Sequence, residues 1–163
     1  MAACTPAEPP LSPQARAFKE EVAKVLAYMQ ESLGELTARN DVPAIDSVLG
    51  GLAKSMDGMC IECPYRSAVL NKNGVLLTTF PKSEIIGRNF SAYTLVLEPL
   101  RHQKISQRRV FQGDGTKFYF ISAPLLHNRQ VMGVVALGLT TADVEIKWGI
   151  TEKEFLAINF NVP

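Results

Sequence analysis

Leu70-Asn71-Lys72-Asn73-Gly74-Val75-Leu76-Leu77 is the stretch on which the reading of this chain turns. Asn-Gly supplies the positive φ values that a tight hairpin needs, so Tyr65 to Leu70 and Val75 to Phe80 read as antiparallel strands closed by Asn71 to Gly74. Before Gly58 the apolar residues follow a helical period; after it the period is that of strands.

Working back toward the N-terminus, Ser12 is a good N-cap with Pro13 at the first helical position. Phe18, Val22, Val25, Met29, Leu33 and Leu36 then recur every three or four residues, which predicts an amphipathic helix of about 26 residues. Asn40-Asp41 stops it, and Pro43 restarts a helix with a stripe of Ile45, Val48, Leu49, Leu52 and Met56. Gly50 and Gly51 either weaken that stripe or let another element pack close. Residues 1–12 are proline-rich and read as an extended tether, leaving 13–163 as a single domain.

Working forward, Pro81 ends the second strand, residues 85–93 form a loop, and Leu95 to His102 suit a short helix over the sheet. Arg108 to Phe111 and Phe118 to Leu126 flank a second turn, Gln112-Gly113-Asp114-Gly115. Val131 to Leu139 is apolar throughout, as a central strand buried on both faces should be. Thr151 with Glu154 is a capping box opening a terminal helix. The order is two helices, five strands with a loop-helix insert, then a helix. Antiparallel hairpins with helices grouped at the ends make the class α+β.

Charge narrows the function. At 163 residues with 17 basic and 16 acidic side chains, the net charge of +1 gives no overall pull toward nucleic acid or an anionic membrane and excludes a protein that broadly coats DNA. The near-neutrality is a cancellation. Residues 1–62 carry 5 basic and 9 acidic side chains, whereas residues 101–129 carry 6 and 1. Arg101, Lys104, Arg108, Arg109, Lys117 and Arg129 either converge to give a positive site or form a solvated surface. No run of about 18 apolar residues is present to span a bilayer.

The element order resembles the Cache family of extracytoplasmic sensor domains, PAS-like five-stranded antiparallel sheets behind a long N-terminal helix. The resemblance rests on three phrases and spans roughly residues 13–146. They are the 70–77 hairpin, Ile86-Gly87-Arg88-Asn89-Phe90-Ser91, and Gly113-Asp114-Gly115-Thr116 through Ile121-Ser122-Ala123-Pro124-Leu125 into Val131-Met132-Gly133-Val134-Val135. It implies a non-enzymatic module that binds a small molecule on one face of the sheet beneath the insert. The implied ligand contacts are Arg88, Ser91 and Tyr93 from the insert, and Arg109, Lys117, Tyr119 and Ser122 from the strands. Arg holds a carboxylate in a fork of two N–H bonds while Ser and Tyr hydroxyls complete its lone pairs, so a small organic acid is the expected ligand. The aromatic-rich signature of amino-acid-binding double Cache domains is absent. Each position also has a plainer role: Tyr119 in the core, Lys117 in solvent, Ser122 bonded within the sheet.

Cys60-Ile61-Glu62-Cys63-Pro64 admits covalent haem, zinc, thiol-redox chemistry or a local disulfide. Pro64 stands where haem attachment needs His; zinc lacks a second ligand pair; a thioredoxin-like pair belongs at a helix N-terminus after a strand. A disulfide, or two thiols pinning helix to sheet, is the expected state, with no metal and no cofactor. Met1-Ala2-Ala3-Cys4 before the tether looks like the end of a bacterial lipoprotein signal without its hydrophobic region. Cys4 is then lipidated in the periplasm, against an ordinary cytoplasmic start. Two other functions compete with the sensor: a dimerising interaction protein using the long helix's apolar stripe, and a redox protein using Cys60 and Cys63. A triad from Ser122, His102 and Asp114 has no supporting motif.

Overall fold

The computed structural model describes residues 10–56 and 66–163; Cys4, Cys60 and Cys63 lie outside them, and with them every expectation about lipid, disulfide and thiol chemistry. The elements are α1 (Pro13–Ala38), α2 (Val42–Ser55), β1 (Arg66–Asn71), β2 (Leu76–Phe80), α3 (Thr94–His102), β3 (Ser106–Phe111), β4 (Lys117–His127), β5 (Gln130–Thr140), α4 (Thr141–Trp148) and α5 (Glu152–Ala157). The five strands form one antiparallel sheet in the order β2-β1-β5-β4-β3. β1 and β5 pair at the centre, so the chain crosses the sheet between β2 and β3, and the segment that makes this crossing is the insert containing α3.

Local chemistry sets the boundaries. Ser12 caps α1 by accepting the Ala15 N–H at 3.1 Å, Asp41 caps α2 through Ala44, and Thr151 and Glu154 form the capping box of α5. At the first hairpin the Asn71 side chain accepts the N–H groups of Asn73 and Val75, and Gly74 takes φ +76°. The sequence reading omitted α4. It is only eight residues long and buries Val144 alone, so it leaves almost no periodic signal.

The sheet separates two cores. One face packs against α1, whose Phe18, Val22, Leu26, Met29 and Leu33 are fully buried with Ile121, Leu125, Val135 and Leu137 of the strands. Phe155 joins them, stacked on Tyr119 at 4.1 Å and edge-on to Phe18. This corrects the idea that the α1 stripe is free for dimerisation, because the chain's own sheet uses it. Gly50 and Gly51 admit no close neighbour, so they only dilute the α2 stripe. The second core is smaller: Leu70, Leu76, Val96 and Val134, with Ala68, Phe90 and Leu100 at its margin.

Candidate functional site

A cavity of about 460 Å³ lies on the sheet face opposite α1. Its floor follows from strand register. Thr79, Ala68, Ala136, Ser122 and Ser106 are successive cross-strand partners from β2 to β3, and all are small. Side chains alternate faces along a strand, so this row runs unbroken across one face. To one side lie the bulkier Leu76, Leu70 and Val134; to the other, Arg66, Gly138 and Phe120. The small row leaves a trough between them. At its β3–β4 end α3 fills the trough, where the fully buried Ser122 donates its hydroxyl to the Leu95 carbonyl at 2.5 Å. The β2–β1–β5 end stays open beneath the insert.

The insert is held as a roof by its main chain. The Leu76 N–H donates to Arg88 at 2.9 Å, the Gly87 N–H to Leu76 at 2.8 Å, and the Phe90 N–H to Gly74 at 2.8 Å. The Ile86 to Ser91 phrase therefore zips onto the hairpin. Gly74 is obligatory twice over, for its positive φ and because a Cβ would meet Ser91 at 2.7 Å. Pro81, Ile85, Phe90, Tyr93 and Val96 line the cavity from above, and Val110, Phe111 and Gln112 close one end. Tyr93, 63% exposed, stands at the rim, whereas the Phe111 ring turns to the other face under Arg109 and Lys117.

The proposed ligand residues do not converge. Tyr93 lines the cavity. The Arg88 side chain is exposed while its carbonyl is used in the roof. Ser91 faces an outer groove with Lys72 and Arg101. Arg109, Lys117 and Tyr119 belong to the α-helical face: Arg109 pairs with Glu152 of α5, Lys117 sits over the Phe111 ring, and Tyr119 is buried against Phe155. Burial first, and the charges of Glu152 and Glu145 next, push the Tyr119 phenol above its ordinary pKa. Parity shows why these residues cannot share one site, since Tyr119 and Ser122 are three residues apart on a strand and face opposite ways. The basic segment is thus dispersed. Ser122 gives its hydroxyl to Leu95 and Asp114 accepts the Thr116 N–H, so neither is directed to His102 as a triad requires.

The sequence reading missed Arg66. It lies in the cavity wall, its guanidinium 5.0 Å above the Phe118 ring. Its Nε is buried without a hydrogen-bond partner, and among the described residues no carboxylate forms an ion pair with it. The signal was available in the two-residue spacing from Arg66 to Ala68, which puts both on one face. On the other face Asp46 of α2 accepts from Thr78 at 2.5 Å and from Lys82 at 2.7 Å. Burial alone would raise the Asp46 pKa, but the hydrogen bonds from Lys82 and Thr78 and the Lys82 charge outweigh it and hold the carboxyl below its ordinary value.

No protein-family model and no curated protein matches the chain. Solved structures do share its fold. The sensor domain of the histidine kinase DctB from V. cholerae matches at TM-score 0.56 and 14% identity, over 85% of this chain and 62% of its own. The extracellular domain of the histidine-kinase candidate vpHK1S-Z8 gives TM-score 0.66 at 12% identity, over 86% of this chain and 57% of its own. The ligand-binding domain of the Pseudomonas fluorescens chemoreceptor CtaA, in complex with L-serine, gives 0.56 at 13%, over 77% and 54%. The chain therefore spans less than two thirds of each neighbour. The fold is a PAS-like sensor fold. It is the fold these histidine-kinase and chemoreceptor sensor domains share, a five-stranded antiparallel sheet behind a long N-terminal helix.

Proposed function

We propose that this chain is a non-enzymatic, extracytoplasmic sensor module that captures a small organic acid in the cavity beneath the insert and passes occupancy on as a signal. The observation that carries this reading is the trough itself. A cross-strand row of small residues is roofed by a zipped insert, and its volume lies within the 300–1,000 Å³ common for small-molecule sites. The folds of DctB and CtaA, a kinase sensor and a chemoreceptor, support a role in signalling. Anchoring through a lipid on Cys4 is consistent with an extracytoplasmic position and belongs to the same proposal.

A thermal-shift screen of small carboxylates tests it, because a ligand that binds only the native state raises the melting temperature. Native mass spectrometry of the purified protein should also reveal a copurifying acid. A flat screen across a broad acid library, with no copurifying molecule, would overturn the sensor reading.

A further inference from the structure

We infer that the ligand is an amphipathic monocarboxylate, with an apolar body lying on the Ala68–Ala136 floor and its single carboxylate held by Arg66. The inference rests on the small-molecule reading above and narrows it to one class of acid.

The wall of the cavity is mostly aliphatic and aromatic, and the Arg66 guanidinium is its only formal charge among the described residues. Arg66 is half-buried in this wall, with its Nε out of contact with water, and a charged side chain withdrawn from water in this way usually has a partner. Here the Phe118 ring supports one face of the guanidinium, and stacking of this kind leaves the N–H edge free to donate. The buried Nε has no acceptor, and a donor left unpaired out of water is destabilising. A carboxylate supplies the missing acceptor in the two-bond geometry that guanidinium favours. Among the described residues, the acid whose titration feels Arg66 is Asp114. Its carboxyl is held low first by the Thr116 N–H, with the Arg66 charge only a minor cause.

The same wall excludes other acids. Among the described residues the wall offers a dicarboxylate no second cation and offers a zwitterionic amino acid no carboxylate to accept from its ammonium. The apolar floor instead rewards a hydrocarbon body. The exposed Tyr93 ring at the rim would lose water on the same occupant.

Calorimetric titration of the full chain with octanoate, octan-1-ol, octylamine, succinate and glycine tests this, with hydrogen exchange locating the site. Octanoate should bind about 10–100-fold more tightly than octan-1-ol, the value of a charge-assisted pair. It should also protect amides of residues 94–97 and 134–138. Arg66→Met should remove the preference for octanoate while keeping octan-1-ol binding; Arg66→Lys should keep part of it. Equal affinities for octanoate and octan-1-ol with protection at those amides would overturn the Arg66 anchor and leave the cavity reading standing. Tighter binding of succinate or glycine would overturn the monocarboxylate class alone. Protection confined to other residues, or no binding by any probe, would overturn both.

Discussion

Ser122→Ala removes one oxygen from the middle of the small row and tests whether that hydroxyl holds the roof or touches the ligand. Ser122 is fully buried, and its Oγ donates to the Leu95 carbonyl at 2.5 Å, with the Ser106 carbonyl a distant 3.4 Å away. Alanine opens no cavity of consequence, so the cost is that of leaving the Leu95 carbonyl without its donor. For a buried group that is about 1–3 kcal/mol. In a domain of this size each kcal/mol shifts the melting temperature by about 2–4 °C, so the expected loss is roughly 2–12 °C. Leu95 lies in the first turn of α3 and lines the cavity, so amide exchange across Thr94–His102 should accelerate while the exchange of β5 is retained. An unchanged melting temperature with unchanged exchange in α3, accompanied by weaker ligand binding, would refute the structural role and return Ser122 to the ligand contacts.

Asp46→Asn should lower stability by about 1 kcal/mol at neutral pH, as expected for a partly exposed ion pair. Because the folded carboxyl titrates below its unfolded value, this contribution is full above about pH 4 and disappears as the pH falls through the folded pKa. The gap between wild type and variant in urea unfolding should accordingly stay constant down to about pH 4 and narrow progressively below it, and a gap independent of pH would show that the charge plays no part. Gly74→Ala must force a side chain into φ +76° against Ser91, at about 2–3 kcal/mol; an unchanged urea midpoint would show that the roof is not seated on the hairpin. Arg109→Ala should cost less than about 1 kcal/mol and leave ligand affinity unaltered, because its partner Glu152 is on the helical face. A fall in affinity would restore Arg109 to the binding site.

Much of the fold was legible because it is written in short-range chemistry. Ser12-Pro13 and Thr151-x-x-Glu154 mark helix starts by hydrogen bonds within a single turn, and Asn71 to Gly74 marks a hairpin by the φ that glycine alone takes without strain. The apolar run from Gly133 to Leu139 announced a central strand because burial on both faces leaves no polar alternation. α4 escaped because one buried residue makes no pattern.

The site is different in kind. The sequence by itself determined that basic side chains crowd residues 101–129 and that an insert crosses the sheet. Which of those side chains meet was decided only by register and face, quantities set by pairing between strands distant in the chain. Strand alternation sent Arg109, Lys117 and Tyr119 to the helices, while the pairing of β1 with β5 placed Ala68 beside Ala136 and brought Arg66 to the cavity wall. A trough made of small residues from five strands has no local signature, because its defining property is the absence of side-chain volume in a row that exists only once the sheet has formed.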